Sequence, residues 1–390
     1  MIHQKQLHPR HEKMHHILTA SLVLLRRNAV LAVAVVLAIA TSFSVKPDAQ
    51  YADYFDWKTL TCLFCTLAVV CALKNIRFFT ILARKIVDCT GNLRISVIAI
   101  VYITFLGSML ISNDMALLTF LPLGFFVLTS TGKQKYMAFV FIMQNIAANL
   151  GGMLTPFGNP QNLYLYTRFN IPTGEFMTVM LIPFLLSITL ITLCCIVFVK
   201  SEPLVIKGER HSIDKKRAVI YGALFALSIA IVFRGIPYQL GLLIIPAAIF
   251  FLDRRALADV DYPLLFTFAA FFVFSGNVAR IEAVREVAEA LLSKSTLLVS
   301  TLSCQLISNV PSSILLSSFT DNYRQLLVGV NIGGAGTLIA SLASLITLKE
   351  YTKHDREGVG AYIKLFSIVN FSFLGILLAV MLAVFGMGIL

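Results

Sequence analysis

The chain has 390 residues, of which 58% are hydrophobic and only 13% are charged, and its mean hydropathy is +0.83. Because soluble globular proteins contain about 25% charged residues, this composition excludes a soluble domain and indicates a protein that spans the lipid bilayer. The formal net charge of +12 does not predict nucleic-acid binding, since the basic residues are concentrated in short loops between apolar segments, as the positive-inside rule describes.

The first 27 residues form a basic tail, which we expect on the cytoplasmic side, and hold five of the seven histidines. The apolar run that begins at Asn28 continues past Ala38-Ile39-Ala40, so an uncleaved first span is predicted rather than a signal peptide. Most cysteines, including the Cys62-x-x-Cys65 pair, lie in apolar segments without histidine or acidic neighbours and are interpreted as buried thiols. No cofactor is therefore predicted.

The first half of the chain alternates between apolar segments and polar loops. A membrane span needs about 20 mostly apolar residues, and a polar interruption divides a longer apolar run into two limbs. The predicted elements, in chain order, are a span at 28–45, a span at 57–73, an amphipathic surface helix at 76–87, an apolar hairpin block at 95–129, a broken helix at 136–167 and a span at 176–199.

A basic cytoplasmic loop and a connector span occupy 200–237, and the second half then repeats the same order of elements. These elements are a span at 238–252, a span at 263–276, an amphipathic helix at 280–294, a hairpin block at 295–320, a broken helix at 325–348 and a span at 362–387. With these assignments the Lys/Arg-rich loops lie on one side of the membrane, which predicts a cytoplasmic N-terminus in a plasma or bacterial inner membrane.

The predicted fold class is an all-α polytopic membrane protein with two inverted repeats, 28–199 and 238–390, comprising about nine spans and two re-entrant hairpins. The repeat is inverted because the first copy starts on the inner side and the second on the outer side. The limbs of the second hairpin block are too short to cross about 30 Å of hydrocarbon. The limbs of the first block are longer, so a pair of full spans is an open alternative there.

Each predicted broken helix contains glycine, asparagine and hydroxyl residues in the middle of apolar sequence. The first break runs from Asn149 to Asn162 and the second from Asn331 to Thr337. Unpaired backbone groups are costly in hydrocarbon, so such a break is tolerated only where it is buried in protein or lines a cavity. Two breaks in corresponding halves indicate the binding site of a transporter. Close packing of small residues between helices is the alternative explanation.

Superposition of the two halves favours the binding site, because the matched positions include more than common apolar residues. Asn149 coincides with Asn331, and the hairpin tip Ser112-Asn113 coincides with Ser308-Asn309. The candidate substrate- and ion-binding residues of the first half are Ser112, Asn113, Asp114, Asn149, Gly151, Gly152, Thr155, Gly158, Asn159 and Asn162. Those of the second half are Ser308, Asn309, Asn331, Gly333, Gly334, Thr337 and Ser341. None is assigned a catalytic role.

The residue types at the tips and breaks fit a transported anion together with a cation. Carbonyl oxygens and half-helix C-terminal ends suit a cation, whereas half-helix N-terminal ends suit an anion. Asp114 is the one carboxylate placed deep in either repeat, and a charge there needs a proton or a bound cation. Ion or proton coupling is one interpretation of Asp114, and a helix N-cap is the other.

At these residues the chain resembles the ion transporter superfamily, which includes arsenite permeases, sodium–proton antiporters of similar build, citrate permeases and divalent-anion/sodium symporters. Residues 112–122 resemble the first tip of arsenite permeases and antiporters, and residues 155–162 resemble the first break of divalent-anion symporters. Residues 329–336 and 340–345 are similar to the second break of arsenite permeases. The likeness covers most of the chain in layout but only these short motifs in residues.

The resemblance implies sodium or proton coupling, a homodimer, and an elevator-type motion of a transport domain against a scaffold, with the substrate between the tips. It implies sodium sites near Ser112, Asn113 and Gly151, and near Ser308, Asn309 and Gly333. Dicarboxylate symporters have Ser-Asn-Thr at both tips, whereas Asp114 and Val310 stand at the third position here. This departure argues against two-sodium dicarboxylate transport.

Taken together, these observations favour a secondary active transporter of a small inorganic or carboxylate anion. A sodium–proton antiporter that uses Asp114 is the alternative, and a channel is a more distant one, because two unevenly polar breaks do not suggest a continuous polar path. An intramembrane hydrolase is not favoured, since the predicted spans hold neither paired carboxylates nor a base beside a hydroxyl.

Overall fold

The computed structural model describes residues 28–204 and 214–390, so the predicted tail at 1–27 and part of the predicted basic loop lie outside the described residues. Within those ranges the protein is helical, and its β-type pairing is limited to an isolated bridge between Asn92 and Pro203. The prediction of an all-α protein is confirmed.

The helices of the described residues follow one another with short connections. The first eight are α1 Ala29–Ser44, α2 Trp57–Asn75, α3 Phe78–Asp88, α4 Leu93–Ile111, α5 Asn113–Ser130, α6 Met137–Gly151, α7 Pro160–Arg168 and α8 Thr173–Phe198. The next five are α9 Lys215–Val232, α10 Tyr238–Leu252, α11 Arg254–Ala258, α12 Tyr262–Ala279 and α13 Glu282–Lys294. The last five are α14 Thr296–Ile307, α15 Asn309–Leu316, α16 Tyr323–Ile332, α17 Leu342–His354 and α18 Val359–Gly386.

Seven helical segments of the described residues are long and apolar enough to cross a membrane. They are Trp57–Asn75, Leu93–Ile111, Asn113–Ser130, Gln134–Leu154, Thr173–Phe198, Arg254–Ala279 and Val359–Gly386. The prediction of about nine spans counts differently. It includes α1, α9, α10 and the second broken helix, which are not among the seven, and it leaves out α4 and α5, which are the two limbs of the first predicted hairpin block. The helices agree with an integral membrane protein.

Local sequence signals set several helix boundaries. Asp56 is the N-cap of α2, and its side chain accepts a hydrogen bond from the Thr59 backbone N–H at 3.0 Å. Asn92 is the N-cap of α4, and its side chain accepts a hydrogen bond from the Arg94 backbone N–H at 2.9 Å. Caps of this type stabilise a helix by about 1 kcal/mol. The ends of these helices are therefore determined locally, before tertiary packing.

The described residues divide into two compact units, and the smaller one comprises 28–55 and 261–285. In this unit α1 packs along α12. The Asn277 side-chain amide donates to the Thr41 and Ser42 hydroxyls at 3.2 and 3.1 Å. A buried amide thus fixes how two otherwise apolar helices face each other.

The larger unit contains the remaining described residues, and at one end of it the predicted inner loops meet. Lys133 forms an ion pair with Glu202, which lowers the pKa of that carboxyl. Arg94 Nε donates to the Val199 carbonyl at 2.7 Å, at the C-terminal end of α8. These contacts join loops that are far apart in the sequence.

The predicted outer segments meet at the other end of α8. Glu175, in the first turn of that helix, accepts hydrogen bonds from Tyr323 and Arg324 at 2.7 and 2.6 Å. Arg234 donates to the Tyr166 carbonyl at 2.8 Å. The predicted inner and outer segments named here therefore lie at opposite ends of α8.

Candidate functional site

The two predicted hairpin tips have the same unusual backbone conformation. Ser112 joins α4 to α5 with φ 70° and ψ 156°, and Ser308 joins α14 to α15 with φ 73° and ψ 159°. This region is normally occupied by glycine, and a serine there costs about 1–3 kcal/mol. Both strained serines occupy positions that coincide when the two halves of the chain are superposed. This makes both serines functional candidates.

The helix breaks also correspond, although their lengths differ. After α6, a short 3-10 turn at Gly152–Leu154 leads into nonhelical chain, and α7 begins after Asn159. After α16 the chain is nonhelical until Ser341 precedes α17. Asn159 and Ser341, which coincide when Asn149 is superposed on Asn331, have extended φ/ψ values of −136°/145° and −147°/141°. The second halves of both broken helices therefore begin at equivalent residues.

Each break is held against its own tip by a matched hydrogen bond. The Thr155 hydroxyl donates to the Met109 carbonyl at 2.9 Å, and the Thr337 hydroxyl donates to the Gln305 carbonyl at 3.1 Å. Met109 and Gln305 each lie three residues before the tip serine of their own half. The predicted threonines thus have equivalent roles in positioning the two breaks.

The predicted glycines allow close approach of chain segments. A Cβ on Gly151 would lie 2.7 Å from Ser108 Oγ, and a Cβ on Gly333 would lie 2.9 Å from Cys304 Sγ. The backbone at both breaks therefore packs directly on the preceding helix of the hairpin. Gly334 faces the site itself, since a Cβ there would lie 3.2 Å from Asn309 Nδ2 and 3.9 Å from Asn149 Oδ1.

Two further predicted glycines keep the first break compact. A Cβ on Gly152 would collide with the Asn159 carboxamide, and one on Gly158 would lie 2.7 Å from the Thr155 hydroxyl. Both glycines are buried. The first break therefore folds back on itself only because these positions lack side chains.

A carboxamide of the first break connects three of the predicted segments. Asn149 Oδ1 accepts a hydrogen bond from Asn113 Nδ2 of the first tip at 3.3 Å and one from Ser341 Oγ of the second break at 2.7 Å. All three residues are buried, with exposures of 5% or less. The structure thus brings both halves of the chain together at Asn149.

Asn331, the counterpart of Asn149, makes the reciprocal connection from the second half. Its Nδ2 donates to Asn162 Oδ1 at 2.6 Å, and its Oδ1 accepts hydrogen bonds from Asn159 and Gln161 at 3.4 Å each. Asn159 also donates to the Asn149 carbonyl at 3.2 Å. The predicted asparagines therefore form one buried network, which we call the asparagine cluster.

The asparagine cluster leaves polar atoms available for a ligand. Asn113 Oδ1, Asn159 Oδ1, Gln161 Oε1 and Asn149 Nδ2 are buried and have no hydrogen-bond partner among the described residues. A buried polar atom without a partner costs about 1–3 kcal/mol. The three oxygens are suited to a bound cation. The Asn149 N–H group is suited to a ligand that accepts a hydrogen bond.

The second tip contacts the end of the second break. The Ser308 hydroxyl and the Asn309 backbone N–H both donate to the Ala340 carbonyl, at 3.3 and 3.0 Å. The Asn309 carboxamide accepts a hydrogen bond from the Val310 backbone N–H at 2.9 Å. The second tip is thus fastened beside Ser341, which itself donates to the asparagine cluster.

Asp114 lies in the first turn of α5 and is half-buried. The N-cap of α5 is Ser112, two residues earlier, so the alternative interpretation of Asp114 as the N-cap is wrong. A carboxylate in the first turn is nevertheless favoured by the helix dipole. Asp114 therefore stands beside Asn113, which belongs to the asparagine cluster.

Sequence reasoning missed several polar residues of the site that are buried or half-buried. Asn145, one turn before Asn149, donates to Ser344 at 3.3 Å and accepts from Thr347 at 3.4 Å. Gln305 Nε2 donates to the Gly333 carbonyl at 2.8 Å. The available signal for Asn145 was its i,i+4 spacing from Asn149, which places both on one helix face.

Two interrupted helices that meet over buried carboxamides and freed backbone groups define the class of secondary transporters. The chain belongs to the citrate transporter family, whose model matches residues 17–323. The resemblance to the ion transporter superfamily is thereby confirmed, and the protein is an integral membrane transporter.

Curated relatives agree with this assignment. The chain is 32% identical over 307 residues to an uncharacterized transporter of Methanocaldococcus jannaschii, covering 78% of this chain and 83% of the relative. It is 30% identical over 303 residues to the inner membrane protein YbiR of Escherichia coli, covering 75% and 80%. It is 23% identical over 345 residues to a 46 kDa membrane protein of Mycobacterium leprae, covering 75% and 78%.

Proposed function

We propose that this protein moves a small carboxylate or inorganic anion across the membrane by secondary active transport coupled to sodium or protons. The asparagine cluster is the observation that carries the proposal, because it places unpartnered buried oxygens where two helix breaks meet. The citrate transporter family adds a carboxylate to the candidate substrates.

The proposed architecture is a pair of inverted repeats with two re-entrant hairpins. It is supported by the equal φ/ψ values at Ser112 and Ser308 and by the equivalent hydrogen bonds of Thr155 and Thr337. The packing is also reciprocal, since α5 packs on α17 and α15 packs on α7. Each hairpin thus contacts the broken helix of the other half, as two symmetric repeats around a shared site require.

Helix lengths support a hairpin at the second tip more strongly than at the first. α14 and α15 have 12 and 8 residues, or about 18 and 12 Å at about 1.5 Å per residue, against about 30 Å of hydrocarbon. α4 and α5 have 19 and 18 residues, which is close to a spanning length. We propose hairpins at both tips on the strength of the shared tip geometry.

In this proposal the coupling cation binds to neutral oxygens. The first sodium site would lie near Ser112, Asn113 and Gly151, and the second near Ser308, Asn309 and Gly333. Oxygen atoms are the ligands that hard cations prefer, and Asn113 supplies one without a hydrogen-bond partner among the described residues. The anion would lie at the N-terminal ends of α7 and α17, where the helix dipole is positive.

Sodium–proton antiport is the second candidate function. It is favoured by Asp114, a half-buried carboxylate one residue after Asn113 at the first tip. A carboxylate in this place can exchange a proton for a cation, which an anion transporter coupled to sodium alone does not need. In both cases we propose a homodimer with elevator-type motion in the plasma or inner membrane, with the N-terminus in the cytoplasm.

Proteoliposome uptake tests the proposed function directly. Labelled citrate, other carboxylates and inorganic oxyanions are offered under a sodium gradient alone and under a proton gradient alone. We expect uptake of at least one anion with one of the gradients. Gradient-driven sodium release that no anion affects would favour the antiporter, and anion flux independent of both gradients would contradict secondary active transport.

A matched pair of serine variants tests whether uptake depends on the asparagine cluster. Ser341→Ala removes the 2.7 Å hydrogen bond to Asn149 and should abolish uptake. Ser187→Ala removes an equally buried hydroxyl that bonds only to Pro183 in its own helix, α8. Its uptake should match the unaltered protein, and equal losses in both variants would mean that the first effect is structural.

A further inference from the structure

A cavity of about 340 Å³ lies between α3, the end of α2 and the middle of α5. It is separate from the asparagine cluster, which includes Asn113 at the start of α5, whereas the cavity reaches α5 at residues 118–123. None of its lining residues belongs to the candidate site. The cavity therefore needs an explanation of its own.

Three cationic side chains converge on this cavity: Lys74 from the last turn of α2, Arg77 from the turn that follows, and Arg84 from α3. No carboxylate lies among the described residues that line it. Collecting like charges without a counter-charge is unfavourable, so the arrangement indicates an anionic ligand.

Arg84 provides a second observation. Its guanidinium lies 5.0 Å from the centre of the Phe126 ring, and this cation–π contact holds the side chain in place. Its Nε atom is buried and has no hydrogen-bond partner among the described residues. A buried donor of this kind is unfavourable unless a ligand accepts its hydrogen bond. Arginine is well suited to phosphate, because its planar group offers several donors.

The remaining lining indicates that the anion carries an apolar part. Ile81, Leu118, Pro122 and Leu123 form the apolar part of the remaining wall, and the rest of it is contributed by Thr80 and Thr119. The Leu118 side chain is 46% exposed, which in an integral membrane protein places it against lipid hydrocarbon. The apolar side chains of this wall give no favourable contact to a small soluble anion, whereas the acyl chains of a phospholipid could pack against them.

We propose that this cavity binds the phosphate of an anionic phospholipid, with Lys74, Arg77 and Arg84 around the headgroup and the acyl chains along α5. Basic pockets between helices on the inner side of a membrane bind such headgroups, and the loop that carries these residues is predicted to lie on that side. The bound lipid would hold α3 against α5. The proposal does not depend on the transported anion.

Lipid titration of the purified full-length protein tests the proposal. The protein in a neutral detergent is titrated with phosphatidylglycerol, with phosphatidylcholine or with inorganic phosphate, and binding is measured by native mass spectrometry. The double variant Arg77→Gln/Arg84→Gln should bind phosphatidylglycerol at least about tenfold more weakly, since each cation near a lipid headgroup is worth about fivefold in affinity.

Two control variants isolate the cavity from general charge. Arg77→Lys/Arg84→Lys keeps both charges and should keep most of the binding. Lys85→Gln removes one charge from the neighbouring position on α3, which does not line the cavity, and should bind like the unaltered protein. An equal loss in Lys85→Gln, or no loss in the double glutamine variant, would overturn the proposal.

The source of the phosphate is decided by comparing the ligands. Tight binding of inorganic phosphate with no preference for phosphatidylglycerol over phosphatidylcholine would overturn the lipid assignment. A photoactivatable phosphatidylglycerol on the unaltered protein gives a test that needs no variant. Its cross-links should fall within 77–84 or 118–123, and cross-links found only elsewhere would also overturn the proposal.

Discussion

The two helix breaks are equivalent in position but are stabilised by different residues. In the first break, Asn162 Nδ2 donates to the carbonyls of Gly152, Met153 and Thr155 at 3.2 to 3.3 Å. The amide that donates to the nonhelical carbonyls therefore comes from the broken helix itself, since Asn162 ends the break and lies in the first turn of α7.

In the second break, the corresponding amide comes from the hairpin. Gln305 of α14 donates to the carbonyls of Gly333 and Ala335 at 2.8 and 3.1 Å and accepts from the Thr337 backbone N–H at 2.9 Å. The position equivalent to Asn162 is Ser344, and the position equivalent to Gln305 is Met109. The amide that donates to the nonhelical carbonyls therefore lies on the broken helix in the first half and on the hairpin in the second half.

The difference shows that the nonhelical backbone, rather than a particular residue, is what both halves preserve. Freed carbonyls and N–H groups in a membrane need partners, and either neighbouring segment can supply the side chain. The two breaks also differ in exposure, since Gly151–Asn159 is almost wholly buried whereas Ile339 is 50% exposed. We therefore expect the first break to be the more rigid of the two.

The largest effect is expected from Asn162→Ala, which removes the amide of the first break. Three carbonyls lose a donor and Asn331 loses an acceptor, so unfolding in detergent should become easier by about 2–4 kcal/mol, and uptake should be lost. Asn370→Ala serves as the control, because that buried amide donates only to Phe366 within its own helix. A similar loss in both variants would contradict the special role of Asn162.

The next largest effect concerns Asp114, whose equivalent in the second half is Val310. Asp114→Asn should abolish coupled uptake and its pH dependence without changing the thermal midpoint, because it removes the charge but keeps the size of the side chain. Val310→Asn, the same product at the equivalent position, should keep coupling. Normal uptake with unchanged pH dependence in Asp114→Asn would exclude the coupling role.

A smaller effect is expected when the amide of the second break is moved. Gln305→Met, which installs the residue found in the first half, should destabilise the protein by about 1–3 kcal/mol. Adding Ser344→Asn, which places an amide where Asn162 lies in the first half, should recover part of that loss. If the double variant is less stable than Gln305→Met alone, the two breaks are not interchangeable in this way.

The smallest effects should come from the two strained serines. Ser112→Gly and Ser308→Gly should each leave stability unchanged or raise it by up to about 1 kcal/mol, because glycine relieves the strain but makes the unfolded chain more flexible. Valine at either position should be destabilising. Thermal unfolding of the four variants measures this, and effects of opposite sign at Ser112 and Ser308 would show that the two tips are not equivalent.

Much of the fold follows from hydropathy alone. The predicted elements at 57–73, 238–252 and 280–294 correspond to helices Trp57–Asn75, Tyr238–Leu252 and Glu282–Lys294. In a bilayer the length of an apolar run and the position of basic loops are local properties with direct structural meaning. Asn149 and Asn331 were found for the same reason, since polar residues inside apolar runs are conspicuous.

The hydrogen-bond partners could not be predicted in this way. Gln305 lies in α14 among ordinary helical residues, and its contacts with Gly333 and Thr337 depend on how the hairpin packs against the break. Gln161 lies between the predicted site residues Asn159 and Asn162, but sequence alone does not indicate its role, because its contact with Asn331 joins opposite halves of the chain.

The sequence by itself determined that this protein is an integral membrane protein, where most helices begin and end, and which residues interrupt them. These features depend on propensity, capping and transfer to hydrocarbon, which act within one turn or one span. Only the tertiary structure decided which amide serves which break, and that Lys74, Arg77 and Arg84 face one cavity beside α5. Such contacts depend on the side on which each helix packs, and that is set by the whole chain.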